Sequence, residues 1–306
     1  MDSDLRLAIV GYGRMGQFHN QALQQSDSFK VVAIVEPDES KHSDIEQHYG
    51  CSVFSSVESL NCPVDCVTIT SPSPTHYSLA KHFLEQGIPC LIEKPLSIHA
   101  AEVADLVAIA NTVPILVGHS ERYNPTFLAL QEAVRGQELI SIAARRLNYD
   151  SSRIVDTDVI MDLMIHDIDL ILTLTNKPVT DLHGTFIRDD HCDALLHFED
   201  GTLANITASR ITPCRLRELT VTTATGFYRA DLLNQHLSVQ SPGQKEANAL
   251  PIKQQAQALT MQYQHFCDIV RQRVEPQVSA AAAQQSLNLV WRLQALKTHH
   301  AHILKL

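Results

Sequence analysis

Residues 158–172 read DVIMDLMIHDIDLIL, an apolar run of helix length broken by a few polar side chains. At 100° per residue Asp158, Asp162, His166 and Asp169 fall within an arc of roughly 80°. The other sides of the helix are apolar and belong in an interior, where an ionisable stripe is costly unless it is paired or faces a cavity. The stripe therefore reads as the wall of a site; the alternative is a buried helix whose polar groups cap loops or pair internally. A histidine, with an ordinary pKa of ~6.5, moves protons near neutrality. Asp162, one turn before His166, can orient its ring or relay the proton.

A second set of residues lies near the N-terminal end. An apolar run at residues 6–10 leads into Gly11-Tyr12-Gly13-Arg14-Met15-Gly16. Gly11 permits a tight turn, Gly13 lets backbone approach a pyrophosphate, and Gly16 lets helix and strand pack closely, with the helix N-terminus facing phosphates. The glycine pattern alone is a weak signal, but a second apolar strand at residues 30–35 ends at Glu36, 20 residues after Gly16. A carboxylate there accepts hydrogen bonds from a ribose 2′-hydroxyl and repels a 2′-phosphate, which favours NAD over NADP. The alternative for Glu36 is a solvated residue opening the Glu36-Pro37-Asp38 turn.

These groups need elements to hold them. A helix at residues 40–48, strands at 51–54 and 64–70, a helix at 75–86, a strand at 89–93, a helix at 98–110 and a strand at 114–118 continue the alternation of a doubly wound parallel sheet. Ligands bind beyond the carboxyl ends of such strands. The loops Thr70-Ser71-Pro72-Ser73-Pro74-Thr75-His76 and Glu93-Lys94-Pro95 lie there and are expected to border the nicotinamide end of the cofactor. Thr70, Ser71, Pro72, His76, Glu93 and Lys94 thus join Gly11, Gly13, Arg14, Met15, Gly16 and Glu36 as cofactor-binding candidates. Glu93 suits positioning of the loop or contact with the nicotinamide ribose, and Pro95 a cis or otherwise unusual turn.

From about residue 123 the pattern changes. A helix at 125–134 precedes long alternating stretches at 139–147, 181–187, 194–198, 202–210, 217–223 and 226–231, with a hairpin turn at Phe198-Glu199-Asp200-Gly201-Thr202. The expectation is an N-terminal Rossmann domain of residues 1–122. A second α+β domain, residues 123–306, is built on a mostly antiparallel sheet with one face open to a subunit partner, giving a homodimer or homotetramer. Helices at 254–271 and 280–303 close the chain, and the last can pack back on the first domain.

The net charge of −10 disfavours wholesale nucleic-acid binding, so an anionic ligand needs a local basic patch. For the phosphates of a nucleotide that patch is sought in Arg145, Arg146 and Arg153, whose guanidinium forks match phosphate oxygens. Arg145 and Arg146 face opposite ways on a strand, so one of them reaches the site. Seven cysteines include no Cys-x-x-Cys pair, and the 16 histidines are dispersed. No disulfide framework and no metal site is expected, His299, His300 and His302 lacking partner acids. Neither a signal sequence nor a membrane span is read in the chain, and the expected location is cytoplasmic.

The ordered set Gly11-Tyr12-Gly13-Arg14-Met15-Gly16, Glu36, Glu93-Lys94-Pro95, Arg122-Tyr123-Asn124-Pro125 and Asp162-Leu163-Met164-Ile165-His166 resembles the glucose-fructose oxidoreductase/inositol dehydrogenase/rhizopine catabolism (Gfo/Idh/MocA) family over nearly the whole chain. Within it, Gly118-His119-Ser120-Glu121-Arg122-Tyr123-Asn124-Pro125 and Met161–Asp169 resemble the branch that oxidises the C3 hydroxyl of UDP-N-acetylglucosamine with NAD. The product of that branch is a 3-keto sugar nucleotide that an aminotransferase converts to a 3-amino sugar for lipid A. The resemblance implies Lys94 as the active-site lysine. It also implies substrate contacts from Arg122, Tyr123, Asn124, Arg146, Asn148, Arg153, Asp162 and His166.

Oxidising a secondary alcohol needs a base for the hydroxyl proton while hydride leaves the same carbon. His166 is assigned as base, Lys94 as electrostatic partner and Asp162 as orienting group; a desolvated Lys94 can also serve as base. Two further functions stay open, a dehydrogenase of a free sugar or inositol and a non-catalytic NAD-binding sensor.

Overall fold

Short runs of aliphatic residues flanked by polar helical stretches dictate the first of two compact units, Met1–Ser120 with Gln257–Gln284. The computed structural model describes residues 4–149, 157–253 and 257–303. In the first unit β1 (Leu5–Val10), β2 (Phe29–Val35), β3 (Ser52–Phe54), β4 (Cys66–Ile69), β5 (Cys90–Ile92) and β6 (Ile115–Val117) form one sheet ordered β3-β2-β1-β4-β5-β6. Every pairing is parallel. Leu7, Ile9, Val67, Leu91 and Leu116 are fully buried, because helices cover both faces of a parallel sheet. Those connections are α1 (Arg14–Leu23), α2 (His42–Tyr49), α3 (His76–Leu84) and α4 (Ala100–Ile109). The strand order reverses between β1 and β4, and ligands bind in the crevice at such a switch point.

The turn from β1 to α1 divides its glycines by task. Gly11 has φ +92°, the region open to glycine, and a Cβ at Gly16 would drive into the Gly11 carbonyl oxygen. At Gly13 a Cβ would meet nothing within 4 Å. Its missing side chain leaves space over the turn instead of closing a packing contact.

The second unit comprises Glu121–Ala256 and Gln285–Leu306. Its opening helix α5 (Pro125–Ala133) starts with proline at the first turn, and Asn124 caps it by accepting the Thr126 N–H at 3.0 Å. Then come β7 (Leu139–Tyr149), a π-helical turn Ile160–Met164 running into α6 (Ile165–Thr175), β8 (Val179–Ile187), β9 (His191–Phe198), β10 (Leu203–Ser209), β11 (Ile211–Thr223), β12 (Phe227–Asp231), β13 (His236–Gln240) and β14 (Asn248–Ala249). The sheet runs β14-β13-β12-β11-β7-β10-β9-β8; β7 and β10 pair in parallel and all other neighbours antiparallel. The hairpin between β9 and β10 closes at Gly201, φ +89°, where the Phe198 N–H donates to the Thr202 carbonyl. Strands β13 and β14 are not anticipated by the sequence, being short and flanked by polar residues.

Alternation along β7 points Ile142, Ala144 and Arg146 inward. The Arg146 side chain is 3 % exposed, its Nε and Nη2 donating to Asp167 at 3.0 and 2.8 Å and its Nη1 to Glu121 at 2.9 Å. Glu121 Oε1 also accepts from Arg217 at 2.9 Å. Burial alone would raise the Glu121 carboxyl, but the charges of Arg146 and Arg217 outweigh it and hold the group below the ordinary carboxylate range. The expectation that Arg146 reaches substrate phosphate is corrected: its guanidinium is spent on two carboxylates inside the fold. Arg145 faces the other way and pairs with Glu218 at 2.5 Å.

Two helices end the chain, α7 (Ala258–Val270) and α8 (Ala280–Ile303). The sequence-based boundary at residue 122 assigns α7 to the second domain, whereas it belongs to the first unit. Its Tyr263 and Phe266 pack on Phe29, and Gln262 Nε2 donates to the Val117 carbonyl at 3.3 Å. An amphipathic pattern reports that a helix face is covered, not by what.

Two substitutions test this account. Gly16→Ala is expected to cost about 1–3 kcal/mol by overpacking and lower the melting temperature, whereas Gly13→Ala leaves it unchanged. Arg146→Met strands the buried Asp167 carboxylate and leaves Arg217 as the cation on Glu121, and is expected to cost about 3–5 kcal/mol. It is read by urea denaturation followed through Trp291, the single tryptophan of the chain. Because the Glu121 carboxyl is depressed in the folded state, its contribution is present at neutral pH and fades as pH falls through its folded value.

Candidate active site

A cavity of about 790 Å³ opens at the carboxyl ends of β1, β2 and β4. It is lined by Gly11, Gly13, Arg14, Met15, Glu36, Thr70, Ser71 and Pro72 from the sequence-derived set, and by Tyr12, Lys41, Ser55, Ser56 and Glu58, which the sequence reading missed. Residues 55–58 directly follow β3, so the rule that ligands sit beyond strand ends was the available signal. Glu36 is buried, not solvated: its Oε2 accepts the Tyr12 N–H at 3.1 Å and its Oε1 the Asp38 N–H at 3.1 Å. The space above Gly13, the N-terminus of α1 and this fixed carboxylate at the end of β2 suit the pyrophosphate and ribose of a dinucleotide. Gly16 lies behind the turn, where it permits the close approach.

His76, Glu93 and Lys94 do not line that cavity; they build two adjoining loops. His76 Nδ1 lies 2.7 Å from the Pro95 carbonyl oxygen and Nε2 2.9 Å from that of Ser71, so one buried ring ties the loop after β4 to the loop after β5. The peptide between Lys94 and Pro95 is cis. Glu93 Oε1 is 3.0 Å from His19 Nε2, and Glu93 Oε2 accepts the Lys94 N–H at 3.1 Å. His19 Nδ1 is in turn 2.7 Å from the Tyr263 hydroxyl, which donates to Thr68 at 3.1 Å. Burial would raise the Glu93 carboxyl, yet the bond to His19 and the charges of His19, Lys94 and His76 bring it below its ordinary range. Gly118 is required here, since a Cβ would press on Glu93 at 2.8 Å.

In the second unit the stripe divides. Asp162 and His166 are partly exposed, while Asp167 and Asp169 are buried. Asp167 is held by Arg146, and Asp169 accepts both Nε and Nη2 of Arg122 at 2.7 Å and the Ser286 hydroxyl at 3.2 Å. Asp158 accepts the Met161 N–H at 3.0 Å at the start of the helical run. The π turn, in which the Ile165 N–H donates to the Ile160 carbonyl, accounts for the division. Residues four apart on a regular α-helix differ by about 40°. A wider turn changes that lag, and Asp162 and His166 both stand partly exposed while Asp169 lies on the buried side. Arg210, at the end of β10, lies 3.9 Å from Asp162 and anchors to the Thr157 and Asp189 carbonyls. The sequence reading did not single it out.

The remaining substrate candidates are placed unevenly. Asn124 donates to Glu121 and the Leu232 carbonyl besides capping α5, so its amide serves the fold. Tyr123 is buried, and Asn148 is partly exposed near the end of β7. Arg153 and the side chains of His299, His300 and His302 lie outside the described residues. Among the described residues no cluster of three or more His, Cys, Asp or Glu could hold a metal ion. No described helix is long and apolar enough to cross a membrane.

Comparison with known proteins agrees with this architecture in both units. Residues 5–119 match the model of the oxidoreductase family with an NAD-binding Rossmann fold, and residues 141–229 the GFO/IDH/MocA C-terminal domain. The chain is 29% identical over 254 residues, 81% of its length and 80% of the relative, to UDP-N-acetylglucosamine 3-dehydrogenase of Acidithiobacillus ferrooxidans. It is 23% identical to scyllo-inositol 2-dehydrogenase (NAD(+)) of Bacillus subtilis, covering 91% of this chain and 90% of that one. The solved structure of the Acidithiobacillus enzyme superposes with a TM-score of 0.87 at 26% identity, covering 95% of this chain and 97% of that one. With both domain models matched in order, the chain belongs to the Gfo/Idh/MocA oxidoreductase family and is an NAD-dependent dehydrogenase of sugar or sugar-nucleotide hydroxyls.

Proposed function

We propose that the protein oxidises the C3 hydroxyl of UDP-N-acetylglucosamine to the 3-keto sugar nucleotide. The observation that carries this reading is the 29% identity to a UDP-N-acetylglucosamine 3-dehydrogenase over 81% of the chain, the relative's coverage being similar. The product suits a downstream aminotransferase that makes a 3-amino sugar of the lipid A type. Ile140, Leu203 and Phe227 are exposed on strands of the second unit's sheet, which suits assembly into a homodimer or homotetramer in the cytoplasm.

NAD, when bound, supplies the hydride acceptor. Gly11 and Gly13 with the α1 N-terminus hold its pyrophosphate, and Glu36 its adenosine ribose. His166 takes the hydroxyl proton, with Asp162 fixing the ring's orientation. Lys94 stabilises charge growing on the substrate oxygen, its loop held by the bond from its own N–H to the Glu93 carboxylate. Lys94 is also the second group able to act as base. With Arg146 and Asn124 engaged inside the fold, Arg122 held by Asp169 and Tyr123 buried, substrate contacts fall to Asn148 and Arg153. A second reading, oxidation of an inositol or free sugar, is favoured by the scyllo-inositol relative, which matches 91% of the chain.

Single-turnover absorbance of reduced nicotinamide, with enzyme, NAD and sugar at comparable concentrations, separates the two. A signal with UDP-N-acetylglucosamine and none with N-acetylglucosamine or inositol is the expected result; the reverse pattern assigns the second reading. Lys94→Met and His166→Asn are each expected to lower turnover by about 100-fold or more, with NAD affinity nearly intact by calorimetry. Near-normal turnover in either variant removes that residue from the chemistry.

A further inference from the structure

The lysine loop is tied to a helix near the far end of the chain. Tyr263 on α7 and His19 on α1 are fully buried, and their rings meet edge to face at 5.5 Å. The Tyr263 hydroxyl lies 2.7 Å from His19 Nδ1, His19 Nε2 lies 3.0 Å from Glu93 Oε1, and Glu93 Oε2 accepts the Lys94 N–H at 3.1 Å. A carboxylate oxygen only accepts, so Nε2 donates in the second of these contacts. The carboxylate is thereby held at both oxygens, and Gly118 backs it where a Cβ would come within 2.8 Å. All of these residues belong to the first unit. Packing alone does not call for the arrangement, since a phenylalanine would fill the place of Tyr263 against Phe29. Interior polar groups are costly unless paired, and here the pairing leads to the loop that bears Lys94.

We propose that Tyr263 and His19 are positioning residues for the reaction: Tyr263 fixes the His19 ring, His19 fixes the Glu93 carboxylate, and Glu93 sets the place of Lys94. The inference rests on the reading of Lys94 as the group that stabilises charge on the substrate oxygen. The titratable groups facing Glu93 are His19 on α1, His76 on α3, Lys94 on its own loop and Tyr263 on α7. Burial pushes the Glu93 carboxyl up, while the bond from His19 and the charges of His19, Lys94 and His76 bring it down. Without His19 the burial has less to oppose it, so the carboxyl takes a proton at higher pH and the loop loses the anion beside Lys94.

Two measurements on the full chain test this. The first needs no sugar: infrared titration of the Glu93 carboxyl band, identified by its loss in Glu93→Gln. His19→Leu is expected to move the midpoint up by about one pH unit, and His19→Gln, which keeps a donor near the place of Nε2, to move it less. The second is single-turnover hydride transfer with UDP-N-acetylglucosamine. Tyr263→Phe, which keeps the ring, and His19→Leu are each expected to slow it about tenfold, with NAD affinity by calorimetry unchanged. His19→Gln is expected to restore most of that loss. Placed on Lys94→Met, Tyr263→Phe is expected to add nothing, because both remove the same contribution. An unmoved Glu93 midpoint in His19→Leu, or an equal further loss when Tyr263→Phe is added to Lys94→Met, overturns the proposal. Absence of turnover with the nucleotide sugar in the unaltered protein instead removes the substrate reading, and the carboxyl titration then decides the place of His19 by itself.

Discussion

One buried guanidinium sets the geometry of the second unit. Arg146, inward on β7, joins Asp167 on α6 to Glu121 at the start of the unit, and Arg217 on β11 completes the set. Three elements distant in sequence are therefore held by charges that none of them can bury alone. The helix has little rotational freedom once Asp167 is fixed to Arg146 and Asp169 to Arg122. With those two carboxylates drawn inward, the remaining ionisable positions of the same helical run, Asp162 and His166, are turned to the partly exposed side. The chemical face of the helix is thus a consequence of pairing on its silent face.

The first unit relies on close backbone approach instead. Gly16 against the Gly11 carbonyl, Gly118 against Glu93, and Gly11 in its left-handed conformation bring three chain segments together where side chains would keep them apart. His76 then joins two of the resulting loops through backbone carbonyls. A wider turn at any of these places would move Glu93 and Lys94 relative to the cleft, which explains why the glycines sit at packing contacts as well as beside the cofactor.

Much of this was legible in the sequence for a physical reason. A parallel sheet buries continuous aliphatic runs, and its strand-end loops are where glycines, Glu36 and Glu93-Lys94-Pro95 had to fall. The stripe at residues 158–169 was visible because few polar residues interrupt an apolar run. Its partition was not, since a π turn changes the angular phase by an amount that regular 100° spacing cannot reveal. Arg146 was misread because a strand pattern gives the side on which a residue lies but not the carboxylates that await it from α6 and from residue 121. Placement of α7 in the first unit and the short strands β13 and β14 were hidden for a related reason: each depends on a long-range partner.

Whether a carboxylate is available for chemistry is decided here by the kind of donor that holds it. Asp167 and Asp169 each accept two N–H groups of one arginine, which occupies both oxygens and cancels the charge. Such groups are structural whatever their position on the helix. Glu36 is fixed by two backbone N–H groups, with a single more distant cation, Lys41 Nζ, 3.4 Å from Oε1. Each oxygen retains acceptor capacity, so the group is able to read a ribose hydroxyl. Glu93 is intermediate, taking one backbone N–H and one imidazole, and the charges around it keep it ionised beside Lys94. The same side-chain type thus serves as buried lock, ribose reader and loop anchor, and its neighbours, more than its burial, distinguish the three.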